Sequence, residues 1–351
     1  MASIVFTSNP QNYSIVNVDP GMQQVDFQET SKVLSSLPQP KPKTRFYKQS
    51  CSSSNSTEKQ DVYTRVTNKI IADLEKGNLT WVKPWKSKDF GGCVSLPMRC
   101  DGQTYQGINI LTLWGTAVEK GYTHPIWVTY NKANELGGQV KKGEKGTTVV
   151  YANKFEKSEV NDKGEEMTSI IPFLKGYTVF NVEQIVGLPD KYYETPLRLE
   201  DTRARIAAVE QFIVNTKAVI EHGGNRAFYT SKHDRIQMPP CRSFRDIESY
   251  YATLTHELTH WTNHPSRLDR KFGQKRFGNE AYAMEELVAE IGSAFLCAAL
   301  GITPETREDH AAYIEHWLVV LKKDKRAIFT AASYAQRAAD YLRGLSTSLE
   351  S

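Results

Sequence analysis

Val62, Val66, Ile70 and Leu74, joined by Tyr63 and Ile71, recur at helical spacing, and Gly77-Asn78 supplies a stop. That pattern predicts a helix starting near Gln60. Beyond it the periodicity breaks into short elements as far as about Pro189. Ile126–Tyr130, Thr147–Tyr151 and Tyr177–Phe180 are rich in β-branched and aromatic residues and predict strands, with turns at Gly137-Gly138 and Gly143–Gly146. The charged stretch Glu156–Glu166 predicts a hairpin loop. From Pro196 the apolar period lengthens again. Helices are expected over Arg203–Thr216, Asp246–Asn263, Ala281–Leu300 and His310–Lys322, with a hairpin of Ala227–Tyr229 and Arg235–Met238 turning through Ser231–Asp234. The expected fold class is α+β in two domains. An α+β domain occupies 58–190, a mainly helical domain with a small sheet occupies 191–351, and the boundary falls between about 188 and 200.

Composition adds a tail. Residues 1–57 hold 11 Ser and 5 Pro with few apolar clusters, too little to offset the entropy of ordering, so this stretch is expected to be disordered. Overall, 40% hydrophobic and 24% charged residues are ordinary for a globular chain, and a net charge of +4 permits a polyanionic partner without requiring one. Five scattered cysteines (Cys51, Cys93, Cys100, Cys241, Cys297) form no Cys-x-x-Cys pair, which argues against a thiolate metal site or a disulfide framework and fits a reducing cytoplasm. No basic-then-apolar signal opens the chain. The longest apolar run, Ile291–Ile302, has 12 residues, too few to span a bilayer, so no membrane partner is expected.

The sharpest chemistry is His256-Glu257-Leu258-Thr259-His260. Histidines four apart on a helix project from one face and can reach one ion at about 2.0–2.1 Å. Glu257 lies beside that ion, where a carboxylate can take a proton from polarised water. Ser243-x-x-Asp246 offers a cap for the helix and His264-Pro265 a stop. A third ligand is needed. His264 would sit a further turn along without the glycine turn of extended-histidine sites, so it reads as a helix-end residue. Glu286, in Glu285-Glu286-Leu287-Val288-Ala289-Glu290, is the better candidate. It shares a face with Glu290 on a largely apolar helix, where buried carboxylates need partners. A metal for Glu286 and an imidazole N–H for Glu290 would supply them. Glu285, about 100° around the helix, is the weaker ligand candidate. The expected cofactor is one Zn²⁺ per chain, with other divalent ions allowed. The pattern resembles the third-ligand helix of glutamate-type zincins, in which the later acid orients a histidine; here that acid is Glu290 where Asp is commoner.

Thr80–Lys157 holds 11 Lys/Arg against 6 Asp/Glu and four of the six tryptophans. Trp81-Val-Lys83-Pro-Trp85-Lys86 interleaves rings and cations, and Lys141-Lys142-Gly-Glu-Lys145-Gly offers amines on a turn. Such a surface suits single-stranded nucleic acid, with bases stacked on rings and lysines against phosphates. The opposing reading makes the tryptophans core and the lysines a solvated face.

Trp81-x-x-Pro-Trp85, Tyr105-Gln-Gly-Ile-Asn109, Trp127-Val-Thr-Tyr130, the string Gly137–Gly146 and Phe180–Gln184 with Gly187-Leu-Pro189, taken in order, resemble the single-stranded-DNA-binding domain of the ArdC antirestriction family. Asp234–Pro240, Tyr250–Thr262 and Glu285–Phe295 resemble the zincin-like metallopeptidase domain of phage and plasmid polyvalent proteins. The resemblance spans about 60–345. It implies a mobile-element protein that shields incoming DNA from host restriction. The implied DNA-binding residues are Trp81, Lys83, Trp85, Lys86, Tyr105, Asn109, Trp127, Tyr130, Lys132, Lys141, Lys142 and Lys145. The implied partners are single-stranded DNA and an unidentified host protein, with the restriction machinery a candidate.

Two functions compete. One is a DNA-tethered zinc metallopeptidase with Glu257 as base; the other is a non-catalytic single-strand binder whose metal is structural. A DNA hydrolase is disfavoured by the single-ion ligand set. Tyr250, Tyr251, Tyr282 and His264 all remain open as the group stabilising the transition state.

Overall fold

The computed structural model describes residues 61–79, 81, 95–160, 166–194, 202–272, 280–303 and 310–347, with backbone alone at 152–160, 166–173, 202, 310–312 and 347. The expected tail at 1–57 lies outside the described residues.

Helix α1 (Val62–Glu75) forms where the periodicity placed it, with Asp61 accepting from the Thr64 N–H at 2.8 Å as N-cap. Helix α2 (Ile108–Lys120) was not expected. Its apolar positions Ile110, Leu113, Trp114 and Ala117 do recur at helical spacing, but Gly107 opens it without a side-chain cap, so its start is unmarked, and Gly115 interrupts it. Strand β1 (Trp127–Thr129) is shorter than expected because the Thr129 hydroxyl caps helix α3 (Tyr130–Glu135), which takes Tyr130 out of the strand.

β2 (Gln139–Val140) pairs antiparallel with β5 (Ile185–Val186). β3 (Thr147–Val160) and β4 (Glu166–Asn181) form a long antiparallel hairpin registered from Thr147↔Val179 to Val160↔Glu166, and β1 completes the sheet in the order β1-β4-β3. Glu156–Val160 therefore belong to a strand, not a loop. Alternation is hard to read in a sequence where few apolar residues mark a face.

The later part begins with α4 (Thr202–Thr216). β7 (Phe228–Thr230) and β8 (Arg235–Met238) make the expected hairpin. An unanticipated strand, β6 (Val219–His222), joins β8 in parallel to give the order β6-β8-β7. Four further helices follow: α5 (Ile247–Trp261), α6 (Ala281–Leu300), α7 (His310–Lys323) and α8 (Ala327–Thr347). Helix α8 was not expected, although its buried face (Ala327, Ile328, Ala331, Ala335, Ala338, Ala339 and Leu342) recurs at helical spacing.

The α+β class and the helical later part agree with expectation. The core, however, runs across the expected boundary near 188–200. Val66, Ile70 and Leu74 of α1 share one apolar cluster with Trp317, Leu321 and Ile328, and α1 packs on α7 while α2 packs on α8. Among the described residues no helix is long and apolar enough to cross a membrane.

Candidate metal centre

Asp246 starts α5 by accepting from the Ser249 N–H at 2.7 Å, and the helix carries His256, Glu257 and His260 into the interior. Helix α6 lies against it at Gly292, where a Cβ would stand 2.6 Å from Cγ2 of the buried Thr259. That close approach places Glu286 and Glu290 opposite the histidines. The helices are further joined by Thr255 Oγ1 and Ser293 Oγ, 2.9 Å apart.

The three expected ligands converge. Nε2 of His256 and Nε2 of His260 are 3.2 Å apart, and Glu286 places Oε2 3.6 Å from the first and Oε1 3.5 Å from the second. One donor atom from each of His256, His260 and Glu286 falls within 4.8 Å of the others. The rear nitrogens face carboxylates as well. His256 Nδ1 is 3.3 Å from Glu290 Oε1, at ion-pair distance but off the line of a well-directed hydrogen bond, and His260 Nδ1 is 3.2 Å from Glu285 Oε1. A carboxylate behind Nδ1 holds the proton there and turns the Nε2 lone pair inward.

Two inward lone pairs at 3.2 Å repel unless a cation separates them, so the donor set fits a divalent ion. The field agrees. Burial disfavours an imidazolium at His260, yet Glu285 and Glu286 outweigh it and push its pKa up to about 10. Burial likewise opposes charge on His256, and Glu286 and Glu290 override it. Burial would raise Glu286, but the two imidazoles hold its carboxyl well below the ordinary range. The cluster is thus arranged around positive charge.

Glu285 is not placed among the inward donors. Both of its oxygens are taken: Oε1 accepts from Arg270 Nη2 at 2.6 Å and faces His260, while Oε2 accepts from Arg270 Nε at 3.2 Å. The Arg270 side chain is fully buried and also donates to the Thr259 carbonyl at 2.8 Å. Sequence reasoning missed Arg270, which lies in a basic connecting segment and looks like any other cation there.

Of the open candidates for a further donor, three point elsewhere. Tyr250 Oη is 2.8 Å from His222 Nε2, Tyr251 Oη donates to Glu210 at 3.0 Å, and His264 bonds Ser266 beyond the helix end. Tyr282 is 64% exposed, with its Oη 3.2 Å from Tyr313 Oη.

The chain matches two family models: the N-terminal domain of anti-restriction factor ArdC over residues 60–180, and a zincin-like metallopeptidase over 207–334. Among solved structures it is similar to the antirestriction ArdC protein from plasmid R388. The metal-free form is 46% identical, with 82% of this chain and 99% of that one covered and a TM-score of 0.69; the Mn(II)-bound form is 45% identical, with 82% and 98% covered and a TM-score of 0.66. The chain belongs to the ArdC antirestriction family. An uncharacterised protein, y4eC, from Sinorhizobium fredii is 40% identical over 80% of this chain and 91% of its own length. A DNA primase, TraC, from Escherichia coli is 37% identical over 81% of this chain, which spans only 27% of that longer protein.

The ArdC-type first part corrects several expected DNA contacts. Trp81, Tyr105 and Trp127 are 1%, 5% and 0% exposed, so their rings are core and not a stacking surface. The Tyr105 hydroxyl donates to the Trp127 carbonyl at 3.3 Å. Asn109 bonds both backbone groups of Val150, at 2.8 and 2.9 Å, tying α2 to β3. Large rings amid lysines look alike in sequence whether they face bases or core. Tyr130 is exposed at 52%, and Lys132, Lys141, Lys142 and Lys145 are on the surface, although Lys132 pairs with Glu135 and Lys141 Nζ donates to the Glu183 carbonyl. Lys83, Trp85 and Lys86 lie outside the described residues.

Proposed function

We propose that this ArdC-family protein binds single-stranded DNA and hydrolyses peptide bonds of a host protein at a zinc or other divalent metal centre, protecting incoming mobile-element DNA in the cytoplasm. His256, His260 and Glu286 would hold the ion; when bound, it supplies Lewis-acid polarisation of water and of a peptide carbonyl. Glu257 takes the proton from the attacking water and returns it to the departing amine. The Mn(II) form of the R388 protein supports a divalent ion without fixing its identity. Free thiols at Cys100, Cys241 and Cys297 suit a reducing compartment.

One observation carries the peptidase reading. Glu257, the neighbour of His256 on α5, is 3% exposed and is not among the three converging donors, so the helix that carries both histidines buries a further carboxylate beside them. A purely structural centre needs no such group. Strands β6 and β7 are the edges of the small sheet, and β7 and β8 pack on α5; an extended peptide could add to such an edge by backbone pairing.

The test is Glu257→Gln in the full chain. It should keep metal, folding and single-strand binding while losing cleavage of candidate host proteins. If antirestriction in cells persists undiminished, proteolysis is not the mechanism, and the protein is a single-strand binder with a structural metal.

A further inference from the structure

Along α8 runs a stripe that the metal centre does not use. Arg326, Phe329, Ser333, Tyr334 and Arg337 fall at i, i+3, i+7, i+8 and i+11, the spacing of one helix face. Tyr63 on α1 faces them, and together they line a groove of about 400 Å³. Two rings lie between two guanidiniums along the stripe. Arg326 stands over the Tyr63 ring with Cζ 4.9 Å from its centroid, and Arg337 stands over Tyr334 at 5.4 Å. The rings are braced from behind, with Tyr63 edge-on to Phe329 at 4.7 Å and Tyr334 edge-on to Phe272 at 5.4 Å.

Both guanidiniums are exposed, and among the described residues neither has a carboxylate at ion-pair distance. The acids closest in sequence are directed to other groups. Asp61 caps α1, Asp324 accepts from the Arg326 backbone N–H at 2.8 Å, and Asp340 accepts from Gln336 at 3.0 Å. An unpaired guanidinium offers a planar fork that matches phosphate, and a braced ring offers a π-face to a base. From Arg326 to Arg337 the helix rises about 16 Å at about 1.5 Å per residue. That length accommodates about four bases stacked about 3.4 Å apart.

We propose that the α1–α8 groove is a track for single-stranded polynucleotide, with phosphates at Arg326 and Arg337 and bases against Tyr63 and Tyr334. The proposal rests on the single-strand binding proposed above and assigns it a surface shared by the ArdC-type part and the metal-bearing part. Rings lying between the two cations favour a nucleic acid over an acidic protein, which would use the charges alone.

The experiment measures fluorescence anisotropy of a labelled oligothymidylate with the full chain across a salt series. The double variant R326A/R337A should bind more than tenfold more weakly near 0.1 M salt. Its log–log salt slope should be shallower by about 1.4, from about 0.7 per phosphate contact on a single strand. R326K/R337K should restore the slope but not the full affinity. Tyr334→Leu should weaken binding about 5- to 150-fold and leave the slope unchanged. Metal content and thermal melting serve as folding controls. If wild type binds and R326A/R337A binds equally well, the groove is not the site, while the single-strand reading stands with its seat near Tyr130 and Lys142. If wild type does not bind at all, the single-strand reading itself fails and takes this proposal with it. If polyphosphate competes as well as an oligonucleotide of equal charge and Tyr334→Leu is silent, the groove is only a nonspecific anion patch.

Discussion

Glu285 stands between Arg270 and His260, with one oxygen 2.6 Å from the guanidinium and 3.2 Å from the imidazole Nδ1. The pair turns a buried arginine into the anchor of a histidine of the candidate metal site. Glu290 stands behind His256 at 3.3 Å, at ion-pair distance but without a directed hydrogen bond, so each histidine faces its own carboxylate from α6.

The ligand set and its backing should separate in metal analysis. His256→Ala and Glu286→Ala are expected to abolish stoichiometric metal binding. Glu285→Ala should keep the site but weaken it about 10- to 100-fold, the usual loss when the group orienting a ligand is removed. It also leaves Arg270 buried without its partner, at a cost of about 3–5 kcal/mol in folding stability. Chelation of wild type should lower its melting temperature, because the ion binds the folded state alone. Complete loss of metal in Glu285→Ala would promote Glu285 to a ligand.

The packing of α5 on α6 is equally exposed to test. Gly292 leaves no room for a Cβ against Thr259, whose hydroxyl is fixed by donating to the Thr255 carbonyl at 2.8 Å. Gly292→Val should push α6 away and carry Glu286 and Glu290 with it. The expectation is overpacking of about 1–3 kcal/mol together with loss of metal affinity. A variant as stable as wild type and fully metallated would show that the helices are not held at this contact.

How much of this was legible follows from where the signals lie. The histidine pair and Glu286 were readable because their chemistry needs fixed helical spacings, and Glu290 because a buried acid on an apolar helix needs a partner. Arg270 was invisible because its partner lies 15 residues away and nothing local distinguishes it from neighbouring cations. Helices α2 and α8 both carry a helical apolar period, in Ile110, Leu113, Trp114 and Ala117 and in the alanines with Ile328 and Leu342, and were overlooked all the same. The ring positions failed for a different reason, since pattern cannot show which way a tryptophan points. The shared core was hidden too, because contacts such as Thr67 with the Lys325 carbonyl, at 2.6 Å, join residues 258 positions apart.

The cap of α5 gives a pH-dependent term. Hydrogen bonds from the Ser249 hydroxyl and backbone hold Asp246 below the ordinary carboxylate pKa. A depressed folded-state pKa adds stability that is fully present above the unfolded value of about 3.9 and is lost as pH falls through the folded value. Asp246→Ala should cost about 1 kcal/mol at neutral pH. Its deficit relative to wild type should shrink below about pH 3.9, read from urea melts at several pH values. A deficit independent of pH would mean that the cap does not act through its charge.

Trp127 and Tyr130 lie three residues apart and should behave oppositely. Trp127 is fully buried and edge-on to Tyr122 at 5.8 Å, so Trp127→Ala should cost about 3–5 kcal/mol of stability. Any loss of DNA binding in that variant should track the unfolded fraction. Tyr130 is 52% exposed on the first turn of α3, with Phe180 at 6.5 Å as its ring neighbour. Tyr130→Ala should leave the melting temperature nearly unchanged, because little apolar area is lost from the interior. If its ring stacks on a base, it should weaken oligothymidylate binding by about 1–3 kcal/mol. Measuring stability and affinity on the same samples separates the two roles. A Tyr130→Ala protein that binds like wild type would remove this ring from the interface, and the affinity would then have to come from the α1–α8 groove or the lysine turn.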